Sequence, residues 1–142
     1  MSLVAPTLLS ATLFTAIGGF AWNLRQANAE TAFKTSLRIA GTNLADTESS
    51  KWQVPPGAFA LLLKDDGTVA YEVNAPRVLN TNFLRDNDAR TSRMFHKMKS
   101  RALSGGGYVT FQWVGLDGVL KLFTAYAVRN GSGETICLAR AA

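Results

Sequence analysis

The side chains that most often carry out catalysis or bind metal ions are scarce in this sequence. Its 142 residues include one histidine, His96, and one cysteine, Cys137. A single cysteine excludes an intramolecular disulfide and a cysteine-based zinc site, and a single histidine excludes a multi-histidine metal centre. A Ser–His–Asp triad would have to use His96, and the sequence contains no Gly-x-Ser-x-Gly turn to present the serine. We therefore expect no enzyme, no catalytic residue, no cofactor and no metal site.

Basic residues are concentrated in the segment between Arg85 and Arg101. Four of them are spaced by three or four residues and would share one face of a helix: Arg90, Arg93, Lys97 and Arg101. A cationic face of this kind can bind phosphates, lipid head groups or an acidic protein, and the alternative is a solvated helix surface. No aromatic side chain is interleaved on that face, so we do not expect nucleic acid as a partner. These four residues are the predicted partner-binding site.

Length and composition predict one folded domain. The chain has a mass of 15.3 kDa, with 47% hydrophobic and 18% charged residues. A chain of this size can bury one core, and this balance excludes a disordered chain or a protein with many membrane spans. The formal charge of +5 is a mild basic excess. It is compatible with anionic neighbours without identifying them.

The amino-terminal residues form an uncharged, apolar run from Ser2 to Trp22. Its length is close to the roughly 20 residues that a helix needs to cross a bilayer, and an aromatic residue followed by Arg25 suits the end of such a span. We therefore predict a single-pass membrane-anchor helix over residues 1–24, in contact with lipid, with the side of the membrane left open. One alternative is a signal peptide, for which Ala27-Asn28-Ala29 has the form of a cleavage site. Another is a helix buried in a larger assembly, because the run contains many small and hydroxylated residues.

The remaining residues, 25–142, predict an α+β domain. A helical pattern continues to Leu44, and Pro55-Pro56-Gly57 ends it before a hairpin that turns at Asp65-Asp66-Gly67. The first strand of this hairpin, Phe59–Leu63, is wholly apolar, so we expect it to be central and buried. Asp86 is a suitable N-cap for a middle helix that continues to about Leu103, and the spacing of its apolar residues predicts a buried face of Met94 or Phe95, Met98 and Ala102. Three strand candidates joined by tight turns follow: Tyr108–Trp113, Val119–Val128 and Thr135–Ala139. Because strands joined by tight turns are antiparallel neighbours, we expect a five-stranded antiparallel sheet with a long N-terminal helix and one middle helix.

This order of elements resembles the small Cache domain, a PAS-like sensor module of bacterial receptors. The resemblance covers about residues 25–140 and rests on short motifs: Leu61–Val69 as the first hairpin, Asp86–Asp88 before the middle helix, Gly105–Trp113 as a Gly-Gly-aromatic strand opening, and Lys121-Leu122 with Tyr126 in the next strand. The chain departs from the family pattern in two places. Leu120 replaces a proline, and no glycine precedes Asn80 or Asn82.

The resemblance implies a pocket on one face of the sheet for a small organic acid or amine. The ligand-binding candidates that it implies are Tyr108, Gln112, Trp113, Lys121 and Tyr126. Lys121 would supply a charge for a carboxylate, Tyr108 and Gln112 would donate hydrogen bonds, and Trp113 would form a wall. The alternative is that the aromatic residues are core and that Lys121 extends to water.

Two functions are compatible with these observations. We expect first a membrane-anchored structural or assembly subunit on a Cache-like fold, whose partners are other protein subunits of a larger complex. The chain shows no output module after its last strand, which favours this role. The alternative is a small-ligand sensor module that signals through a separate partner. A polar-lined cavity around Lys121 favours the sensor, and a solid sheet face favours the subunit.

Overall fold

A computed structural model describes residues 4–75, 78–85, 88–115 and 117–141, and it describes the side chains from Leu24 onward. Two α-helices and five strands are present in these ranges: α1 Val4–Ala45, β1 Ala58–Leu63, β2 Val69–Val73, α2 Ala89–Leu103, β3 Gly107–Val114, β4 Leu120–Arg129 and β5 Thr135–Ala141. The strands form one antiparallel sheet in the order β2-β1-β5-β4-β3. The predicted fold class, α+β with a five-stranded antiparallel sheet and two helices, is confirmed.

The position of β1 explains its wholly apolar sequence. It pairs with β2 on one side and with β5 on the other, and all of its residues are buried. Side chains of a strand alternate between the two faces of the sheet, so a strand covered on both faces needs apolar residues throughout. The expectation that the first strand of the hairpin is central and buried is confirmed.

Helix α2 covers one face of the sheet. Its buried side chains are Met94, Phe95, Met98 and Ala102, and they pack on the odd-numbered residues of β1, β3, β4 and β5. The predicted buried face of this helix is therefore confirmed. The predicted N-cap, Asp86, lies outside the described residues. The observed N-cap is Asp88, whose Oδ1 accepts the backbone N–H of Arg90 at 2.9 Å.

The chain divides into two compact units, Met1–Phe33 and Lys34–Ala142. Within the second unit, the last turns of α1 cover the opposite face of the sheet from α2. Leu37 and Leu44 are buried there. The indole N–H of Trp52 donates to the carbonyl oxygens of Leu44 and Thr47, each at 3.0 Å, and so satisfies the end of the helix.

The prediction of a single-pass membrane anchor is wrong. In the part of the chain that the structure describes, no helix has the combination of length and apolar character needed to cross a membrane. From Leu24 onward α1 carries Arg25, Glu30, Lys34 and Arg38, and charged side chains are costly in hydrocarbon. Helix α2 has 15 residues, fewer than the roughly 20 that a span requires. Most of the predicted anchor, residues 1–24, lies where no side chains are described.

Gly67 gives a direct test of the first hairpin. Its φ is +90°, as the Asp65-Asp66-Gly67 turn predicts, and an added Cβ would lie 2.9 Å from Leu84 Cγ and 3.0 Å from Leu84 N. Gly67→Ala should therefore add a steric cost of about 1–3 kcal/mol to the backbone strain of about 1–3 kcal/mol. Gly105→Ala is the matched control, because Gly105 has a φ of +96° and open space at its Cβ position. Equal losses of unfolding free energy in urea would contradict the close contact with Leu84.

Candidate functional site

A cavity of about 230 Å³ lies at one end of the sheet, on the face that carries α2. It is bounded where β1 begins and β3 ends, and its walls are largely aromatic and aliphatic. The ring centroid of Phe59 lies 5.6 Å from that of Trp113 and 5.2 Å from that of Phe123. Ala75 and Val78, from the segment after β2, close the side of the cavity. The result is a small apolar recess whose exposed rim includes Asp117 and Lys121 beside the β3–β4 turn.

These two residues, Asp117 and Lys121, form an ion pair. Lys121 Nζ is 2.7 Å from Asp117 Oδ2, and the two side chains are 41% and 49% exposed. Asp117 also accepts the backbone N–H of Val119 at 3.1 Å. The hydrogen bond from Lys121, and then that from Val119, hold the pKa of Asp117 below its usual value. The recess therefore has one cation and one anion at its mouth, and each is already paired with the other.

The structure brings together two of the five ligand-binding candidates. Trp113 and Lys121 are register partners on β3 and β4, and both line the cavity. Because side chains alternate along a strand, Tyr108, Gln112 and Tyr126 lie on the opposite face of the sheet. Gln112 is exposed on the edge strand β3. The five residues thus do not line one site.

Tyr108 and Tyr126 instead join the sheet to the end of α1. They are register partners with ring centroids 5.2 Å apart. The hydroxyl of Tyr108 donates to the carbonyl oxygen of Lys34 at 2.6 Å. Gly41 provides the room for Tyr126, because a Cβ at position 41 would lie 3.0 Å from Tyr126 Cδ1. These contacts assign the two tyrosines to the packing of the fold.

Among the residues of the recess that sequence reasoning missed are Phe59 and Asp117. Phe59 belongs to a uniformly apolar strand, and nothing local distinguishes its ring from the other core residues. Asp117 carried a usable signal, because it stands four residues before Lys121 across the Gly118 turn. Oppositely charged residues that flank a tight hairpin turn are brought close together by the pairing of the strands.

The four basic candidates lie along α2, away from this recess. Arg90, Arg93, Lys97 and Arg101 are all exposed, and none of them forms an ion pair with another described residue. In contrast, the neighbouring Lys99 lies 3.9 Å from a carboxylate oxygen of Asp65. His96 is exposed and lies among the residues that line a shallow groove between α2 and β3.

Comparison with known proteins found no relative that could indicate the function of this site, so the site is interpreted from its geometry. No protein-family model matches the chain, and no curated protein matches its sequence significantly. Within the described ranges, no three His, Cys, Asp or Glu side chains are grouped so that they could hold a metal ion. Burial raises the pKa of the Cys137 thiol to about 12, so this cysteine is a thiol rather than a thiolate at neutral pH. The described residues thus form an apolar recess with an ion pair at its mouth and a row of exposed cations along α2.

The assignment of Tyr108 to packing can be tested by removing its hydroxyl. Tyr108→Phe deletes the hydrogen bond to the Lys34 carbonyl and should lower the free energy of unfolding by about 0.5–1.5 kcal/mol. Tyr71→Phe is the matched control, because the Tyr71 hydroxyl has no hydrogen bond with a described residue, and its ring would keep the edge contact with Trp52. Urea denaturation measures both. If the two variants were equally stable, the Tyr108 hydroxyl would not link α1 to the sheet.

Proposed function

We propose that this chain is a small-ligand-binding module of PAS/Cache-like fold, and that it binds a small organic acid in the recess beside Trp113 and Lys121. The observation that carries the proposal is the aromatic-walled cavity with a lysine at its mouth. The element order of long helix, two strands, helix and three strands agrees with the resemblance to the small Cache domain. The proposed role is binding rather than catalysis, with the signal passed to a separate partner.

The shape of the recess limits the ligand. Its volume of about 230 Å³ is below the roughly 300–1,000 Å³ of pockets for drug-sized molecules. A single ring or a short hydrocarbon chain with one carboxylate is the class that fits. The rings of Phe59 and Trp113 would contact the hydrocarbon part, and Lys121 would bind the carboxylate.

Binding of a carboxylate would exchange one anion for another at Lys121. Asp117 already forms an ion pair with Lys121. Because ion pairs between such exposed side chains contribute little to stability, this pair can be broken at a small cost in free energy. The incoming carboxylate would release Asp117 from Lys121. Asp117 lies in the β3–β4 turn, where it also accepts the backbone N–H of Val119, so an occupied recess would differ from an empty one in the charge pairing of that turn. A partner protein that contacts this turn could therefore distinguish the ligand-bound form from the ligand-free form.

A second candidate function is that of a structural or assembly subunit of a larger complex. Four large apolar residues at the β3–β4 hairpin are about half exposed: Val114, Val119, Leu120 and Leu122. Leu120 and Val114 are register partners, so the exposed side chains are grouped rather than scattered. Grouped apolar surface of this kind favours a contact with other protein subunits.

The ligand proposal is tested with phenylacetate and two substitutions at the mouth of the recess. Lys121→Met keeps the length of the side chain and removes the charge, and it should weaken phenylacetate binding about tenfold or more. Asp117→Asn keeps the acceptor for Val119 and removes the competing anion, so it should strengthen binding by about threefold. Isothermal titration calorimetry measures both, with the exposed Lys51→Met as the matched control.

Benzylamine distinguishes an acid from an amine. If the recess binds amines, Asp117→Asn should weaken benzylamine binding and Lys121→Met should strengthen it, which would contradict the organic-acid assignment. If neither compound binds and Leu120→Glu disperses an oligomer seen by light scattering, the assembly function replaces the ligand-binding one.

A further inference from the structure

One edge of the sheet is built differently from the other. The edge strand β2 has five residues, contains Glu72 and is irregular in its pairing with β1. The edge strand β3 has eight residues, pairs with β4 without a bulge, and contains neither a proline nor a charged residue. Short length, charge and bulges are the features by which proteins prevent an edge from pairing with another strand. These features are present at β2 and missing from β3.

The hydrogen-bond pattern shows which groups of β3 face outward. The N–H of Gly115 donates to Val119 O at 2.9 Å, and bonded and non-bonded positions alternate along an antiparallel pair. The odd-numbered residues of β3 therefore bond to β4, and the backbone groups of Tyr108, Thr110, Gln112 and Val114 point away from it.

The hairpin between β4 and β5 independently supports this assignment of the β3 hydrogen bonds. The N–H of Asn130 donates to Glu134 O at 3.0 Å, and this bond assigns the even-numbered residues of β4 to β5. The odd-numbered residues of β4 are left for β3, as the first hairpin requires. The outward N–H and C=O groups of β3 thus follow from two separate turns.

A row of cations stands beside this edge. Arg93, Lys97 and Arg101 line the grooves between α2 and β3, and no described residue forms an ion pair with them. The stem of Arg101 crosses the start of β3, because a Cβ on Gly107 would lie 3.1 Å from Arg101 Cδ. The spacing of four residues places one cation on each turn of the helix, along the strand.

The other face of the same edge carries two exposed polar residues, Thr110 and Gln112, and an apolar group near the β3–β4 turn. Val114, Leu120 and Leu122 project from the face opposite α2 and are about half exposed. A strand added to β3 would alternate its side chains between the two faces. One set would meet the cations of α2, and the other set would lie beside this apolar group.

We infer that the β3 edge binds an extended segment of an acidic protein partner, in which acidic and apolar residues alternate. Main-chain hydrogen bonds to β3 would supply affinity, and the two faces would supply specificity. A second copy of this chain suits the edge poorly. Antiparallel pairing of two β3 strands would place both α2 helices on one face, with their cations facing each other, and each chain has a formal charge of +5.

The test uses the full chain and three labelled peptides, each as long as β3, in fluorescence anisotropy. One peptide alternates glutamate and valine, the second has the same composition in two blocks, and the third alternates lysine and valine. The affinity for the alternating acidic peptide should be at least about tenfold higher than for either of the other two, and it should fall as the salt concentration rises. Equal binding of the block peptide would overturn strand addition, and so would an absence of binding by the alternating acidic peptide.

Two sets of variants locate the binding. Thr110→Pro removes an outward N–H and leaves the hydrogen bonds between β3 and β4 intact, so it should lower the affinity for the alternating acidic peptide about tenfold. Thr110→Ala keeps the N–H and should change that affinity by no more than about twofold. The double variant Arg93→Glu with Lys97→Glu should also weaken it about tenfold. Its matched control is Lys51→Glu with Lys64→Glu, which makes the same charge change at exposed positions off this edge.

The outcomes separate this proposal from a lipid-binding role. If a folded Thr110→Pro variant binds the peptide as wild type does, the edge is not the binding site and the proposal fails. If the protein binds phosphatidylserine vesicles through Arg93 and Lys97 but not the alternating acidic peptide, the basic face serves a lipid surface, and the proposal fails as well. If Thr110→Pro does not fold, the proposal is still tested by two measurements. These are peptide binding by the charge-reversal variant and binding of the block peptide by the wild-type protein.

Discussion

The small side chains of β5 are the constraint on which the α2 face of the sheet depends. On that face β5 presents Cys137, Ala139 and Ala141 between β1 and β4. These short side chains let the ring of Phe59, on β1, reach across β5 to the ring of Phe123, on β4, with 5.2 Å between their centroids. Larger residues on β5 would separate the two halves of the aromatic cluster. The core is therefore joined across the middle strand by rings from its neighbours.

The recess follows from the same arrangement. Where α2 covers the sheet, Met94, Phe95 and Met98 fill the space above the small residues. At the far end of the sheet, Ala141 and Phe59 have the segment at Ala75 and Val78 beside them instead, and a cavity remains. The rings that hold the core together are thus also the walls of the proposed ligand site. A site supported by the core in this way is held in one geometry by packing that the ligand does not have to provide.

The two proposed sites meet at the β3–β4 hairpin. Trp113 and Lys121 face the recess, while Gln112 and Val114 on the same hairpin belong to the exposed edge and the opposite face. Asp117, which a carboxylate ligand would displace from Lys121, accepts a hydrogen bond within the turn that connects the two strands. A change in the recess therefore has a short physical path to the edge that we infer binds an acidic strand.

The sequence by itself determined the local structure of this protein. Turn residues fixed the hairpins, and the positive φ of Gly67, Gly118 and Gly133 is what those turns require. Apolar spacing also gave the buried face of α2. These features depend on neighbours along the chain, so they can be predicted from it. The length and apolar character of the first residues were not enough to predict the structure of that segment. The membrane anchor that they indicated was wrong.

Only the tertiary structure decided which predicted residues share a site. Tyr108, Gln112, Trp113, Lys121 and Tyr126 looked like one set, but strand alternation places Trp113 and Lys121 on one face and the other three on the opposite face. The ring of Phe59, on β1, contacts that of Trp113, on β3, across two intervening strands. The row of cations on α2 lies beside the edge strand β3. Contacts of this kind depend on strand order and register, which are set by long-range packing that no local pattern encodes.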